Sequence, residues 1–217
     1  MPNLKEIIYG IKHPKSSILY LLLGRERYWH LMQTNSCMNA DDVISPVSRH
    51  VTSSTDIHEH LTTLYMLATE FDCTTLVELG TRSGESTLAL AYAAKRTGGK
   101  LYSFDIADCV EAKKAMADRS LTPYWEFSIG NDLEVNWNRK IDFLFIDTSH
   151  TYEHTLKELV RFEPFVKSGG IIAMHDSVAC PGVKKAVKEY AENKPNLRIY
   201  EYVNNNGLFL IFKKPAS

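Results

Sequence analysis

Five short polar stretches carry the residue types and spacings that could do chemistry. The first, Val77-Glu78-Leu79-Gly80-Thr81-Arg82-Ser83-Gly84-Glu85-Ser86-Thr87, joins two glycines to an acidic residue and several hydroxyls. Glycines let a backbone turn sharply and approach a ligand closely, and a helix that starts there offers unpaired N–H groups. The spacing is GxxxG, whereas a pyrophosphate-binding dinucleotide turn wants GxGxxG. A carboxylate beside the glycines repels phosphate and suits an ammonium or sulfonium ligand. The plainer reading is an ordinary tight strand-to-helix turn. Asp105 suits the two hydroxyls of a ribose, or the cap of the segment after it. Asn131 and Asp132 suit an adenine edge, or a turn after a strand. Asp147 with His150, and the pair His175-Asp176, complete the set.

These stretches need elements to hold them, and the hydrophobic pattern supplies them. From residue 56 onward, β-rich runs at 75–79, 101–105, 125–129, 141–147 and 170–174 alternate with helical patterns at 57–71, 86–95, 109–119 and 152–162. Val183, Ala186, Val187, Tyr190 and Ala191 mark a further amphipathic helix, with Lys184, Lys185 and Lys188 on its solvated face. Runs at 198–203 and 208–212 flank Asn204-Asn205-Asn206-Gly207, a hairpin signal. Alternating strands and helices imply a parallel sheet covered on both faces. The expected fold class is therefore α/β, a Rossmann-like doubly wound sheet of about seven strands, mostly parallel with an antiparallel C-terminal hairpin strand. Every polar stretch then falls at the carboxyl end of a strand, where open α/β sheets bind ligands.

Composition narrows the classes. The chain has 217 residues, 44% hydrophobic and 24% charged, which suits one elaborated domain with a sizeable core and excludes wholesale disorder. Lys+Arg is 25 against 26 Asp+Glu, so no basic field points to nucleic acid or an anionic membrane. The apolar run at 18–23 is too short to span a bilayer and lacks a cleavage site. Cys37, Cys73, Cys109 and Cys180 form no CxxC pair and read as scattered reduced thiols. The reading is a cytoplasmic protein with no membrane and no nucleic-acid partner. Residues 1–55 read as an N-terminal extension, with a helix over 16–31 and a polar loop over 34–55, serving as a lid or an oligomer contact; residues 56–217 are the main domain.

The ordered set Glu78-Leu79-Gly80-Thr81-Arg82-Ser83-Gly84, Asp105, Asn131 and the terminal hairpin resembles class I S-adenosylmethionine-dependent methyltransferases over about residues 56–213. The stretches Ile146-Asp147-Thr148-Ser149-His150-Thr151-Tyr152-Glu153, Lys167-Ser168-Gly169-Gly170 and Ala173-Met174-His175-Asp176-Ser177 resemble the group containing cephalosporin-hydroxylase-type proteins and metal-dependent macrolide-sugar O-methyltransferases. The resemblance implies S-adenosylmethionine as cofactor, held by Glu78, Gly80, Thr81, Ser83, Gly84, Asp105, Asn131 and Asp132. It implies a divalent metal, Mg²⁺ or Mn²⁺, on Asp147 and Asp176, with His150 as the base; His175 beside them is a further candidate ligand. The group often has Glu-Asp where this chain has His175-Asp176, and a nitrogen donor shifts preference away from Mg²⁺; water in that position, or no metal at all, are the other readings. The implied activity is O-methylation of a small-molecule hydroxyl, on a sugar or natural product. A nucleotide-dependent oxidoreductase on the same fold, disfavoured by GxxxG, and a non-catalytic cofactor-binding protein are the alternatives.

Overall fold

The computed structural model describes residues 55–214. The expected features at 16–31 and 34–54, and Cys37, lie outside them. Helix α1 (Leu61–Glu70) follows a single 3-10 turn (His58–His60). The sequence pattern predicts one helix over 57–71. Its first turn tightens because the residue at the N-cap, Ile57, has no side-chain acceptor to offer. Then come β1 (Thr75–Leu79), α2 (Glu85–Thr97), β2 (Lys100–Asp105), α3 (Val110–Asp118), β3 (Trp125–Ile129) and β4 (Ile141–Ile146). The chain continues through α4 (Tyr152–Phe162), β5 (Val166–His175), α5 (Pro181–Glu192), β6 (Leu197–Tyr202) and β7 (Leu208–Lys213).

The strands form one seven-stranded sheet in the order β3-β2-β1-β4-β5-β7-β6. The first five are parallel, and β7 runs antiparallel between β5 and β6. The hairpin turn is made possible by Asn205, Asn206 and Gly207, all at positive φ. The central strand β4, Ile-Asp-Phe-Leu-Phe-Ile, is buried nearly throughout, as a parallel strand covered on both faces should be. Its alternation sends Leu144 and Ile146, with Val77 and Leu79 of β1, into a core shared with Leu159 and Phe162 of α4 and Val183 and Val187 of α5. Leu76, Phe143 and Phe145 point to the opposite face, and α1 packs against α2. The connection from β3 to β4 has no α-helix. A 3-10 turn (Asp132–Glu134) leads instead to Trp137, which stacks edge-on against Tyr102.

Strand β5 begins earlier than the expected 170–174. Its first residues pair irregularly, with a register shift opposite Ile141 and Phe143. The Lys-Ser-Gly-Gly run therefore looks like a turn although it lies within the strand. Strand order reverses between β1 and β4, so this is the switch point of the sheet and its carboxyl edge is the ligand-binding edge. No helix among the described residues is long and apolar enough to cross a membrane, and Cys73, Cys109 and Cys180 are free thiols.

Candidate active site

The switch point is assembled by close backbone packing. Gly80 follows β1 at φ +87°, and a Cβ there would lie 1.9 Å from the carbonyl oxygen of Asp147. Gly84, at φ +90°, opens α2, and a Cβ there would meet Ala112 of α3 at 2.7 Å. The room beside both glycines is filled by the chain itself, so these positions bring β1 against β4 and α2 against α3. Their close approach is to protein backbone and side chain.

Four predicted residues converge on the edge of β4 and β5. The His150 ring nitrogen Nε2 lies 2.9 Å from Asp147 Oδ1 and 3.1 Å from Asp176 Oδ2, and donates between the two carboxylates. His175 Nδ1 lies 3.5 Å from both Asp147 Oδ1 and Asp176 Oδ2. Its Nε2 donates to the carbonyls of Asp56 at 3.1 Å and Asn205 at 3.2 Å, which fixes the ring and turns Nδ1 to the carboxylates. His150 and Asp176 both sit at positive φ, 57° and 59°, a conformation non-glycine residues hold only under outside constraint. Burial alone would raise the Asp147 carboxyl, but hydrogen bonds and charge from His150 and His175 hold it far below the usual carboxylate range. The hydrogen bond to Asp147 raises His150. Burial opposes the charge on His175, yet Asp147 and Asp176 push it up to about 10.

Asp147, His175 and Asp176 fit a divalent cation. One ligand atom from each lies within 4.8 Å of the others. His175 Nδ1 and Asp176 Oδ1 are buried without a hydrogen-bond partner, the state of donors that await a proton or a metal. Cys180, which the sequence reading treats only as a thiol, approaches His150 and Asp176 in the same way.

The adjoining pocket is lined by Gly80, Thr81, Arg82, Ser83, Asp147, Thr148 and His150, with Ile57 across from them. Asp105 stands at the tip of β2. Its Oδ2 accepts from the N–H groups of Thr81 at 2.8 Å and Arg82 at 3.0 Å, and its Oδ1 from Ala107 at 2.9 Å. The Cys109 thiol also hydrogen-bonds to this carboxylate. Burial would raise this group, and the backbone donors lower it on balance.

Three predicted cofactor contacts have other partners in the structure. Glu78 is wholly buried, and its carboxyl accepts from the hydroxyls of Ser86 (2.7 Å), Thr87 (2.8 Å), Ser103 (2.6 Å) and Thr81 (3.4 Å). Thr81, Ser86 and Thr87 belong to the same polar stretch as Glu78, and Ser103 comes from β2, beyond any local motif. Burial pushes Glu78 up to about 7 against these hydrogen bonds. Asn131 closes on its own turn, accepting from Leu133 N–H at 3.1 Å and donating to Glu134 at 3.1 Å. Asp132 is buried and faces His154 at 3.2 Å. The sequence reading also missed Arg82, whose guanidinium grips Asp56 with two bonds of 2.8 and 2.7 Å beside the pocket.

Known proteins share this fold. Residues 77–177 match a family model described as a methyltransferase domain. Among solved structures, cofactor-bound Rv0187 from MTB superimposes with a TM-score of 0.65 at 14% identity, covering 88% of this chain and 99% of that one. The O-methyltransferase from Bacillus cereus in complex with SAH gives 0.62 at 16%, covering 93% and 97%. TomG from Streptomyces achromogenes, an O-methyltransferase involved in tomaymycin synthesis and bound to SAM, gives 0.58 at 15%, covering 85% and 95%. The methyltransferase-domain match covers residues 77–177, and the seven-stranded sheet with its antiparallel last strand has the fold of these structures.

Proposed function

We propose that this protein transfers the methyl group of S-adenosylmethionine to a hydroxyl of a small molecule, with help from a divalent cation. The observation that carries the reading is the Asp147–His175–Asp176 cluster, with two buried unpaired donors, beside a pocket lined by the first loop. Ser83 of the pocket and Asp105 at the tip of β2 are the cofactor-side residues in this reading. Asp147, His175 Nδ1 and Asp176 are the residues to hold the cation, and the nitrogen donor favours Mn²⁺ over Mg²⁺. When bound, such an ion lowers the pKa of a coordinated hydroxyl and orients it.

The protein's own part is proton handling and positioning. The carboxylates of Asp147 and Asp176 hold the His150 Nε2–H, which leaves Nδ1 as the basic nitrogen of the neutral ring. His150 Nδ1 takes the acceptor's hydroxyl proton as the C–O bond forms and the sulfonium C–S bond breaks. The products are a methyl ether, the thioether form of the cofactor and a proton on His150. A sugar or natural-product scaffold is the substrate class favoured by the resemblance to macrolide-sugar enzymes.

The test is transfer of labelled methyl from S-adenosylmethionine to a panel of diols and glycosides, with and without chelator. Metal-dependent label on an ether oxygen supports the reading, and label on nitrogen or none on any hydroxyl contradicts it. Asp105→Ala should weaken cofactor affinity, whereas His150→Ala should spare affinity and lower turnover by about 10² to 10⁴. Equal loss of affinity in both variants would contradict these roles.

A further inference from the structure

A second cluster of titratable groups lies outside the cation and proton machinery, and the methyl-transfer reading leaves it unused. Glu158 of α4 has no exposed surface. Its Oε1 accepts from the hydroxyl of Thr148 at 2.7 Å and lies 3.5 Å from His154 Nε2. Its Oε2 is buried without a hydrogen-bond donor. Asp132, from the turn after β3, also reaches this spot, with Oδ2 3.2 Å from His154 Nε2. The three side chains bring ligand-type atoms within 4.8 Å of one another.

Two carboxylates this close in a buried place do not both stay ionised. One of them must carry a proton or share a cation. Glu158 is the more deeply placed. Burial pushes its carboxyl up to about 9, the Thr148 hydroxyl opposes this, and the Asp132 carboxylate, together with the charge of Asp147, adds to it. A protonated Glu158 turns its orphan oxygen into an O–H donor with Asp132 as acceptor. His154 Nε2, on the same helix, lies 3.2 Å from Asp132 Oδ2 and serves that carboxylate as well. Every group in the cluster is then satisfied.

We propose that Glu158 is a positioning residue: its neutral carboxyl group accepts from Thr148 and donates to Asp132, and so clamps the turn after β3 to the loop after β4. The turn carries Asn131 and Asp132, and the loop carries Asp147 and His150. One carboxyl group thereby ties the tip of β3 to the loop whose Thr148 and His150 line the pocket. The pairing stands on the geometry of this cluster, while its consequence for ligand affinity rests on the S-adenosylmethionine reading above.

The test uses the full chain and two substitutions. Glu158→Gln keeps one acceptor and one donor in place, and Glu158→Leu removes both. Infrared difference spectra of wild type minus Glu158→Gln at neutral pH should show the carbonyl stretch of a protonated carboxylic acid. An ionised carboxylate band alone would overturn the proposal. So would a stoichiometric divalent ion that Glu158→Gln releases and Asp147→Asn retains, because a cation would then fill the role given to the proton. In calorimetry with S-adenosylhomocysteine, Glu158→Gln should bind within about twofold of wild type. Folded Glu158→Leu should bind about tenfold more weakly, the loss of one buried hydrogen bond. Wild-type affinity in folded Glu158→Leu, or equal weakness in both variants, would overturn it. If wild type itself fails to bind the ligand, the cofactor reading falls, and the infrared difference alone decides the Glu158 pairing.

Discussion

Glu78 lies in β1 and Asp147 just past the end of β4, the two strands that meet at the switch point, and the fold treats them in opposite ways. Glu78 receives only hydroxyl groups, and burial still drives it up to about 7. Burial acts on Asp147 too, but the imidazoles of His150 and His175 reverse its effect and hold it ionised. Hydroxyl dipoles satisfy a buried carboxyl group without supplying charge, whereas an imidazole supplies a hydrogen bond and, when protonated, a charge as well. The hydroxyls around Glu78 on the β1–β2 side are therefore a self-contained hydrogen-bond cage that shapes the first loop. The β4–β5 side keeps charge, strained backbone and unpaired donors ready for a ligand.

Substitutions on each side should break this contrast in different ways. The largest effect is expected from Gly80→Ala, which joins the two sides. A Cβ there would lie 1.9 Å from the Asp147 carbonyl oxygen at a positive φ, so one side must move. Denaturant unfolding should show a loss of about 3 kcal/mol or more, or no folded protein at all. Asp147→Asn should leave the fold in place by circular dichroism yet lower methyl transfer at least about a hundredfold, because both histidines lose their shared carboxylate.

Glu78→Gln should affect pH dependence more than activity. The folded pKa of Glu78 is raised above its unfolded value of 4.5, so its contribution to stability is full below that pH and is lost as pH rises through about 7. The substitution should remove roughly 3 kcal/mol of that slope in thermal or urea unfolding between these pH values. Glu158 acts with the same sign up to about 9, so a slope above neutrality should persist in Glu78→Gln. Arg82→Ala breaks an ion pair with Asp56 whose arginine side chain is 66% exposed. It should cost about 0.5 kcal/mol or less in unfolding, because solvent screens such pairs.

Much of this edge was legible in the sequence, for physical reasons. The strands are short buried runs of branched and aromatic residues, and each parallel strand ends where polar residues begin, so the ordered tips Asp105, Asp147 and His175-Asp176 mark one edge. The sequence did not show which carboxylates stay available. Glu78 reads as a ligand group because its hydroxyl partners, Ser86, Thr87 and Ser103, arrive from α2 and β2. Asp132 reads as an adenine contact because Glu158 lies 26 residues further on, across a strand and a loop. The carbonyls that orient His175 come from Asp56 and Asn205, near opposite ends of the described chain, and no spacing rule connects them. Local pattern finds the positions at the strand tips; the partners that decide their charge are contacts made only by the fold.

The most direct test of the central claim is calorimetric titration of metal-stripped protein with S-adenosylmethionine. Saturable one-site binding in the micromolar range, about −7 to −8 kcal/mol, is the predicted result. Folded protein that releases or takes up no heat and shows no binding by equilibrium dialysis would contradict it.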